Sequence, residues 1–246
     1  MIFYSKKLSS FKTITHGFSG RQDEGKLPEN IVTLKQIHTD EVVMVDRTHP
    51  LPVSLPPASC AKVALATAAE QGGGKMQKSD EKQKEGDALV TKEKNILIAI
   101  RTADCVPLLV YDPIKQVIAA VHAGWRGVIA GIIENTLLKL NELGSSSSDI
   151  VVAIGPSLCQ KCFEVGPEVK EIFEKKFGSD LSFQKGREDR IHINLASACQ
   201  IILEKKGVLS TQIEILPYCT KCHQDQFYSY RDGDKEGRNY SFIGLE

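Results

Sequence analysis

Short apolar runs separated by turn residues dominate the middle of the chain. Dipeptides such as Asp112-Pro113 mark the turns between them. Runs of this length, bounded in this way, predict buried or half-buried strands. Six such strands are predicted, at 87–91, 96–100, 106–111, 117–121, 150–154 and 213–216.

Apolar residues at helical spacing alternate with these strands. Between Val128 and Leu140 they recur with the period of a helix, and Gly144 supplies a stop. The segments 168–177 and 195–206 show the same spacing. The alternation predicts a mixed α/β protein whose strands are not uniformly parallel.

The segment from residue 47 to residue 86 breaks this alternation. Four of the ten prolines lie between positions 50 and 57, and three consecutive glycines at 72–74 precede a polar run. Such a composition buries little apolar surface. We therefore expect a flexible surface insertion at 47–86 within a single domain that spans residues 1–246.

Composition and charge narrow the class of protein. The chain has 246 residues, 41% of them hydrophobic, and its 31 basic and 31 acidic residues give zero net charge. Such a balance offers no electrostatic basis for nucleic acid as the main ligand. The N-terminus lacks the apolar segment of a signal peptide, and no apolar run approaches the roughly 20 residues that cross a bilayer. We expect a cytoplasmic protein without a membrane partner.

Three residues in separate short motifs are candidate metal ligands: His38, Cys105 and His122. Zn²⁺ prefers imidazole and thiolate ligands, and three protein ligands with an open fourth position are typical of a catalytic zinc site. Cys105 and His122 lie at the ends of adjacent predicted strands and can converge, whereas His38 must come from elsewhere in the chain. The alternative is that the histidines are merely hydrogen-bonded and Cys105 is a packed thiol.

Two neighbours of these residues carry candidate chemistry. Asp104 could act as a general base, orient the adjacent ligand, or cap a turn. Arg126, together with the N–H groups of a helix that starts near Val128, would bind an anion such as phosphate. The alternative for Arg126 is a surface arginine beside a glycine turn.

Two Cys-x-x-Cys pairs form a second candidate metal site: Cys159 with Cys162, and Cys219 with Cys222. Two Cys-x-x-Cys pairs in one domain are typical of a structural zinc site with four cysteine ligands. Here 56 residues separate the pairs, so they must meet through the fold. A redox pair of the thioredoxin type is less favoured, because neither pair opens a helix after a strand.

Several short motifs occur together from about residue 16 to the C-terminus, outside the insertion. The most specific are Thr102-Ala103-Asp104-Cys105 and His122-Ala123-Gly124-Trp125-Arg126-Gly127. The others are Leu34-Lys35-Gln36-Ile37-His38, Gly86-Asp87-Ala88-Leu89-Val90-Thr91, Ile154-Gly155-Pro156-Ser157, Phe163-Glu164-Val165-Gly166, Phe227-Tyr228-Ser229-Tyr230-Arg231 and Gly237-Arg238. In sequence and order these motifs resemble those of the YfiH-type laccase-domain or polyphenol-oxidase proteins, a family regarded as enzymes that process purine nucleosides.

The resemblance implies a layered α/β/β/α sandwich of mixed sheets, with zinc bound by His38, Cys105 and His122. It implies phosphorolysis of adenosine, inosine, guanosine and methylthioadenosine, and deamination of adenosine. The partners would be these small molecules and phosphate. Phosphate held by Arg126, with Arg231 or Arg238, would attack the ribose. Hydroxide generated by zinc would attack the purine at C6, with Asp104 as proton carrier.

Two departures from the family pattern bear on the pocket. Only a short segment separates Ser19 from His38, so part of the pocket or an oligomer contact would be missing. Asp232 stands where the family usually has a second arginine, which would weaken anion binding if that position faces the pocket.

Three other functions stay open. Copper could replace zinc in an oxidase of phenols, although one His-Cys-His set cannot supply the several coppers of a multicopper oxidase. Cys105 and His122 could form a nucleophilic pair in a hydrolase of cell-wall precursors. The chain could also be an interaction protein without turnover.

Overall fold

A computed structural model describes residues 1–23, 27, 31–46 and 84–246. The described residues form thirteen β-strands and four α-helices. The strands are β1 Ile14–Phe18, β2 Ile31–Val32, β3 Val42–Met44, β4 Ala88–Thr91, β5 Leu97–Thr102, β6 Val106–Asp112, β7 Val117–Ala123, β8 Val151–Ile154, β9 Glu164–Val165, β10 Phe183–Lys185, β11 Ile191–Ile193, β12 Ile213–Ile215 and β13 Asn239–Leu245. The helices are α1 Trp125–Ala130, α2 Ile132–Glu142, α3 Pro167–Phe177 and α4 Leu195–Lys205.

The larger sheet has six strands in the order β12-β8-β6-β7-β4-β3. Its centre is the antiparallel hairpin of β6 and β7, in which all seven residues of each strand are buried. At the two edges, β12 pairs with β8 and β3 with β4 in parallel. The sheet is therefore mixed, as the sequence predicts.

A second sheet faces the first. Its order is β1-β13-β5-β2, with β13 antiparallel to both neighbours and β2 parallel to β5. Alternation along β6 explains why both sheets are needed: Leu109 and Tyr111 pack towards the smaller sheet, whereas Leu108 and Val110 point the other way. A third, three-stranded sheet has the order β10-β11-β9.

Helices α1 and α2 pack on the outer face of the larger sheet, α3 packs against α1 and α4 against α2, and all four contribute buried residues to the same core cluster. In α2, Ile133, Leu137 and Leu140 form the buried stripe that contacts it. Among the described residues, the outer face of the smaller sheet carries a small apolar cluster of Ile31, Ala99 and Phe242. The mixed α/β sandwich is thus confirmed, with its described helices on one side of the sheet pair.

The helix expected from Val128 onwards begins earlier and is interrupted. It starts at Trp125 and is divided into α1 and α2 at Gly131, whose φ of 113° lies in the left-handed region that favours glycine. The insertion predicted at 47–86 lies outside the described residues except for its last three, so it stays a prediction. None of the described helices combines the length and apolar character that a membrane span requires.

Candidate functional site

The three candidate ligands converge at one end of the central hairpin. Cys105 directly precedes β6, and His122 is the penultimate residue of β7; the register pairs Pro107 with His122. His38 reaches the same point from the loop between β2 and β3, with a φ of 63°. The ligand atoms of the three side chains lie within 4.8 Å of one another, and His38 Nε2 is 4.0 Å from Cys105 Sγ.

Asp87, directly before β4, forms hydrogen bonds to His122 and to the loop that carries His38. Its Oδ1 lies 2.7 Å from His122 Nδ1, which leaves the other ring nitrogen of His122 for the cluster. Its Oδ2 accepts hydrogen bonds from the backbone N–H of Thr39 (2.7 Å) and from the hydroxyl of Thr39 (3.0 Å). The fully buried carboxylate therefore ties the loop that carries His38 to strand β7.

Asp87 belongs to one of the family motifs in the sequence, but no role was predicted for it. The available signal was a charged residue directly before a wholly buried strand, where an acidic side chain is rarely buried without a partner. Its partners lie 35 and 48 positions away along the chain, so spacing alone could not identify them.

The electrostatics of the cluster favour an ionised sulfur. Burial alone would raise the pKa of the Cys105 thiol, but the charge of His122 and hydrogen bonds from both histidines bring it down to about 6. Burial lowers the pKa of His122, and the opposing effects of Cys105 and Asp87 raise it to about 9. The site therefore stabilises a thiolate, which is the form of cysteine that binds metals and attacks electrophiles.

The residues present fit a zinc ion. Tetrahedral zinc with bonds of about 2.0–2.3 Å places nitrogen and sulfur ligand atoms about 3.3–3.6 Å apart, which requires only a small contraction of the 4.0 Å separation. A Cβ on Gly124 would lie 3.0 Å from His38 Cδ2 and 3.3 Å from Cys105 Sγ, so glycine leaves room for the ligands. The Asp87–His122 pair is the carboxylate–histidine arrangement that orients metal-bound imidazoles.

A cavity of about 890 Å³ opens from this cluster. This volume is in the range of sites for small organic molecules. Its lining includes the aromatic rings of Trp125, Phe163 and Tyr230. Five arginines also line it: Arg101, Arg126, Arg190, Arg231 and Arg238. Flat apolar surfaces beside guanidinium groups suit a ligand that carries both a planar ring and an anion.

The three arginines predicted from the sequence all line this cavity, in different settings. The Arg126 guanidinium lies 4.5 Å from the centroid of the Trp125 ring, in the first turn of the short helix α1. Arg231 donates through Nη1 to the carbonyl of Glu164 (3.1 Å). Arg238 donates to the main-chain carbonyls of Lys235 and Gly237.

Two arginines of the lining, Arg101 and Arg190, were not foreseen from the sequence. Arg101 lies near the end of β5, directly before the Thr102-Ala103-Asp104-Cys105 motif but outside it, and Arg190 lies directly before β11. Asp232, in contrast, is exposed and is not among the lining residues, so this departure from the family pattern removes no charge from the described wall.

Asp104 is held by three hydrogen bonds. Its Oδ1 accepts from the hydroxyls of Thr220 and Ser229, both at 2.7 Å, and its Oδ2 accepts from the backbone N–H of Arg231, also at 2.7 Å. Its φ of 88° is in the left-handed region. This geometry favours a positioning role, in which Asp104 fixes the loop of Arg231 beside Cys105. The role of proton carrier stays a prediction.

The two Cys-x-x-Cys pairs also meet. The sulfur atoms of Cys159, Cys162, Cys219 and Cys222 lie within 4.8 Å of one another, and we refer to these residues as the four-cysteine cluster. Cys222 Sγ is 3.5 Å from Cys162 Sγ and 4.0 Å from Cys159 Sγ. All four are free thiols.

Comparison with known sequences gives the family. The sequence model of the family described as multi-copper polyphenol oxidoreductase laccase matches residues 19–246. The chain belongs to this laccase-domain family. The match covers the segments that carry both cysteine-containing clusters.

Individual relatives carry names from purine metabolism. A protein of Bacteroides thetaiotaomicron named purine nucleoside phosphorylase is 46% identical over 162 residues, which cover 64% of this chain and 60% of the relative. A protein of an unknown prokaryotic organism named adenosine deaminase is 36% identical over 160 residues, 64% of this chain and 61% of the relative. The chain thus spans about three-fifths of the length of these two relatives.

A solved structure agrees with the fold. The crystal structure of YlmD from Geobacillus stearothermophilus superposes with a TM-score of 0.76, over 98% of this chain and 94% of that chain. At 23% sequence identity, this similarity establishes that the two chains share a fold.

Proposed function

We propose that this laccase-domain protein is a zinc-dependent purine nucleoside enzyme. Its reactions would be phosphorolysis of adenosine, inosine, guanosine and methylthioadenosine, and deamination of adenosine. The observation that carries the proposal is the convergence of His38, Cys105 and His122 at one end of a cavity with aromatic and cationic walls. The names of the relatives support the purine class.

The positions of the metal ligands and of Asp87 indicate the role that each would have in deamination. A zinc ion on His38, Cys105 and His122 would supply Lewis acidity and lower the pKa of a water molecule. Asp87 holds His122 in the tautomer that presents its second nitrogen. In deamination, the oxygen of water bonds to C6 of adenine, the bond from C6 to the amino nitrogen breaks, and ammonia leaves. The carbon attacked must therefore face the metal cluster.

Phosphorolysis needs a second set of contacts. It breaks the bond between the purine nitrogen and ribose C1′ and gives ribose 1-phosphate and the free base. Guanidinium groups bind phosphate oxygens through paired, charge-assisted hydrogen bonds. Arg126, Arg231 and Arg238 are the candidates for this role, and the Trp125 and Phe163 rings are candidates for stacking on the purine.

The first experiment follows zinc-loaded protein with adenosine, with and without phosphate, and separates the products by chromatography. Adenine that appears only with phosphate would support phosphorolysis, and inosine in either case would support deamination. Cys105→Ala is the matched variant: it should lose metal and both activities. If this variant kept its metal and its turnover, the proposed site would be wrong.

The same geometry favours a second candidate, a cysteine-dependent hydrolase acting on cell-wall precursors. Cys105, His122 and Asp87 lie in the order of a thiolate–imidazole–carboxylate triad, and the pKa of Cys105 falls to about 6. A nucleophile must be free, whereas a zinc ligand is masked. Rapid alkylation of Cys105 in the metal-loaded protein would therefore favour the hydrolase, and protection from alkylation would favour zinc.

Copper at the same ligands is the remaining enzymatic alternative. Within the described residues, the two groups able to hold a metal are the His38-Cys105-His122 set and the four-cysteine cluster, and the second contains no histidine. Zinc is our choice because the proposed reactions need a Lewis acid and no electron transfer. Oxidation of phenols by copper-loaded protein at the rate of nucleoside turnover would overturn this choice.

A further inference from the structure

We propose that the four-cysteine cluster binds a second, structural zinc ion that joins two walls of the cavity. The cluster lies outside the cavity lining and takes no part in the chemistry proposed above. The proposal therefore does not depend on the proposed reactions, although the expected count of two ions below includes the zinc proposed at His38, Cys105 and His122.

The sulfur–sulfur distances match four ligands of one zinc ion. Tetrahedral coordination with zinc–sulfur bonds of about 2.3 Å places the sulfur atoms about 3.8 Å apart. The separations from Cys222 to Cys162 and to Cys159, 3.5 and 4.0 Å, lie on either side of this value. The sulfur–sulfur bond of a disulfide is much shorter, about 2.05 Å, so these two separations are not those of disulfide bonds. With all four sulfur atoms within 4.8 Å of one another, the cluster is compact enough for one shared ion.

The backbone around the cluster prepares it for thiolates. Cys159 and Cys162 flank a short turn in which the N–H of Cys162 donates to the carbonyl of Cys159 at 2.9 Å. The N–H of Cys159 donates across the cluster to Cys219 Sγ at 3.3 Å. Hydrogen bonds of this kind to a sulfur ligand disperse its negative charge and fix its orientation.

Each cysteine pair lies directly beside residues that build the active-site cavity. Cys162 precedes Phe163 and Glu164, which line the cavity. Cys219 precedes Thr220, whose hydroxyl donates to Asp104, the neighbour of Cys105. An isolated β-bridge between Ser157 and Cys219 joins the two segments near the cluster. A metal here would therefore hold together the loops on which both the aromatic wall and the Asp104 network depend.

Chain entropy explains why a metal is useful at this position. The two pairs are separated by 56 residues, so bringing them together costs chain entropy that local contacts do not offset. A metal that binds only when both pairs are assembled shifts the equilibrium towards the folded state. Soft thiolate ligands in tetrahedral geometry select zinc or iron over harder ions, and a site without an open position is typical of structural zinc.

The test counts metal ions in purified protein and three variants by mass spectrometry of the elements. We expect two zinc ions per chain in the parent, one in Cys222→Ser and one in Cys105→Ser. Cys199→Ala is the matched control, because this buried cysteine of α4 belongs to neither cluster; it should keep two. Cys222 is the exposed member of the cluster, so its replacement should leave the fold intact.

Cobalt substitution identifies the ligands without reference to activity. The ultraviolet sulfur-to-cobalt charge-transfer absorption grows with the number of thiolate ligands. The Cys105→Ser variant, with cobalt on the four-cysteine cluster alone, should therefore absorb about fourfold more per cobalt than Cys222→Ser, which keeps one thiolate ligand at the other site. Equal absorption by the two variants would overturn the assignment of four sulfur ligands.

Two further results would overturn the proposal. One is a parent protein with a single metal ion and disulfides among the four cysteines, detected by mass spectrometry without reduction. The other is iron in place of zinc, visible as colour. Loss of the metal in Cys222→Ser should also lower the melting temperature by several degrees, with zinc retained at His38, Cys105 and His122.

Discussion

Asp87 offers the sharpest test of how the site is held together. Replacement by asparagine keeps the volume but leaves one oxygen where the carboxylate has two. That carboxylate accepts from His122 on one side and from Thr39 on the other. In Asp87→Asn the amide nitrogen must face one of these donors, so either the His122 tautomer or the His38 loop loses its support.

The expected magnitudes follow from this loss. A buried hydrogen bond to a charged acceptor contributes about 1.5–3 kcal/mol, so stability should fall by about 2 kcal/mol. For a domain of this size that corresponds to a melting temperature lower by about 4–8 °C. Zinc affinity at His38, Cys105 and His122 should fall about 10- to 100-fold, as is usual when the partner of a metal-bound histidine is removed.

The assay is competition for zinc between the protein and a coloured chelator, with melting measured on the same samples. Asp112→Asn is the matched control, since Asp112 is equally buried and caps a turn at the opposite end of β6. It should lose stability but keep its affinity for zinc. If Asp87→Asn bound zinc as tightly as the parent, Asp87 would be a structural cap only, and our account of the site would be refuted.

Three other predictions follow from single positions. Gly124→Ala should weaken zinc binding with little loss of stability, because its Cβ would lie 3.0 Å from the His38 ring. The control Gly131→Ala, at a φ of 113°, should lower stability but leave zinc affinity unchanged. Chelator competition measures the zinc affinity of each variant, and thermal melting measures its stability. Arg126→Ala should abolish phosphorolysis and spare deamination, and equal loss of both in product assays would remove its phosphate role. Burial lowers the pKa of His16, so the unfolded state binds a proton at this residue more readily than the folded state does. Neutral His16 therefore contributes to folding stability above about pH 6.5, and this contribution is lost as the pH falls. His16→Gln should therefore narrow the difference in melting temperature between about pH 7.5 and pH 5.5, and an unchanged difference would contradict this.

The elements that the sequence predicts well are those buried on both faces or on one clear stripe. Strands β4 to β8 and helices α3 and α4 lie within one or two residues of expectation. The strands of the smaller sheet were not predicted, apart from β5. β13 contains polar residues and glycine, and β2 has only two residues, so their pairing depends on tertiary contacts that local pattern does not encode.

The residues of the site show the same contrast between positions set by local sequence and positions set by tertiary contacts. Cys105 and His122 were placed correctly at one end of a hairpin because hairpin register is a local property. The approach of His38 and the contacts of Asp87 depend on how β3, β4 and β7 are arranged, which spacing does not reveal. The three hydrogen bonds of Asp104 join residues 116 to 127 positions apart, so a positioning role emerges only from the structure.

The inner position of β13 has a consequence for the order in which the protein folds during synthesis. The strands from β3 to β12 can pair while the ribosome is still adding later residues, but β13 lies between β1 and β5 and is synthesised after all the other described strands. The described part of the smaller sheet therefore stays incomplete, with β1 and β5 lacking their shared neighbour, until translation reaches residues 239–245. All three residues of the His38, Cys105 and His122 set are made well before that moment. Zinc could thus bind a nascent chain and stabilise the hairpin before the sandwich closes.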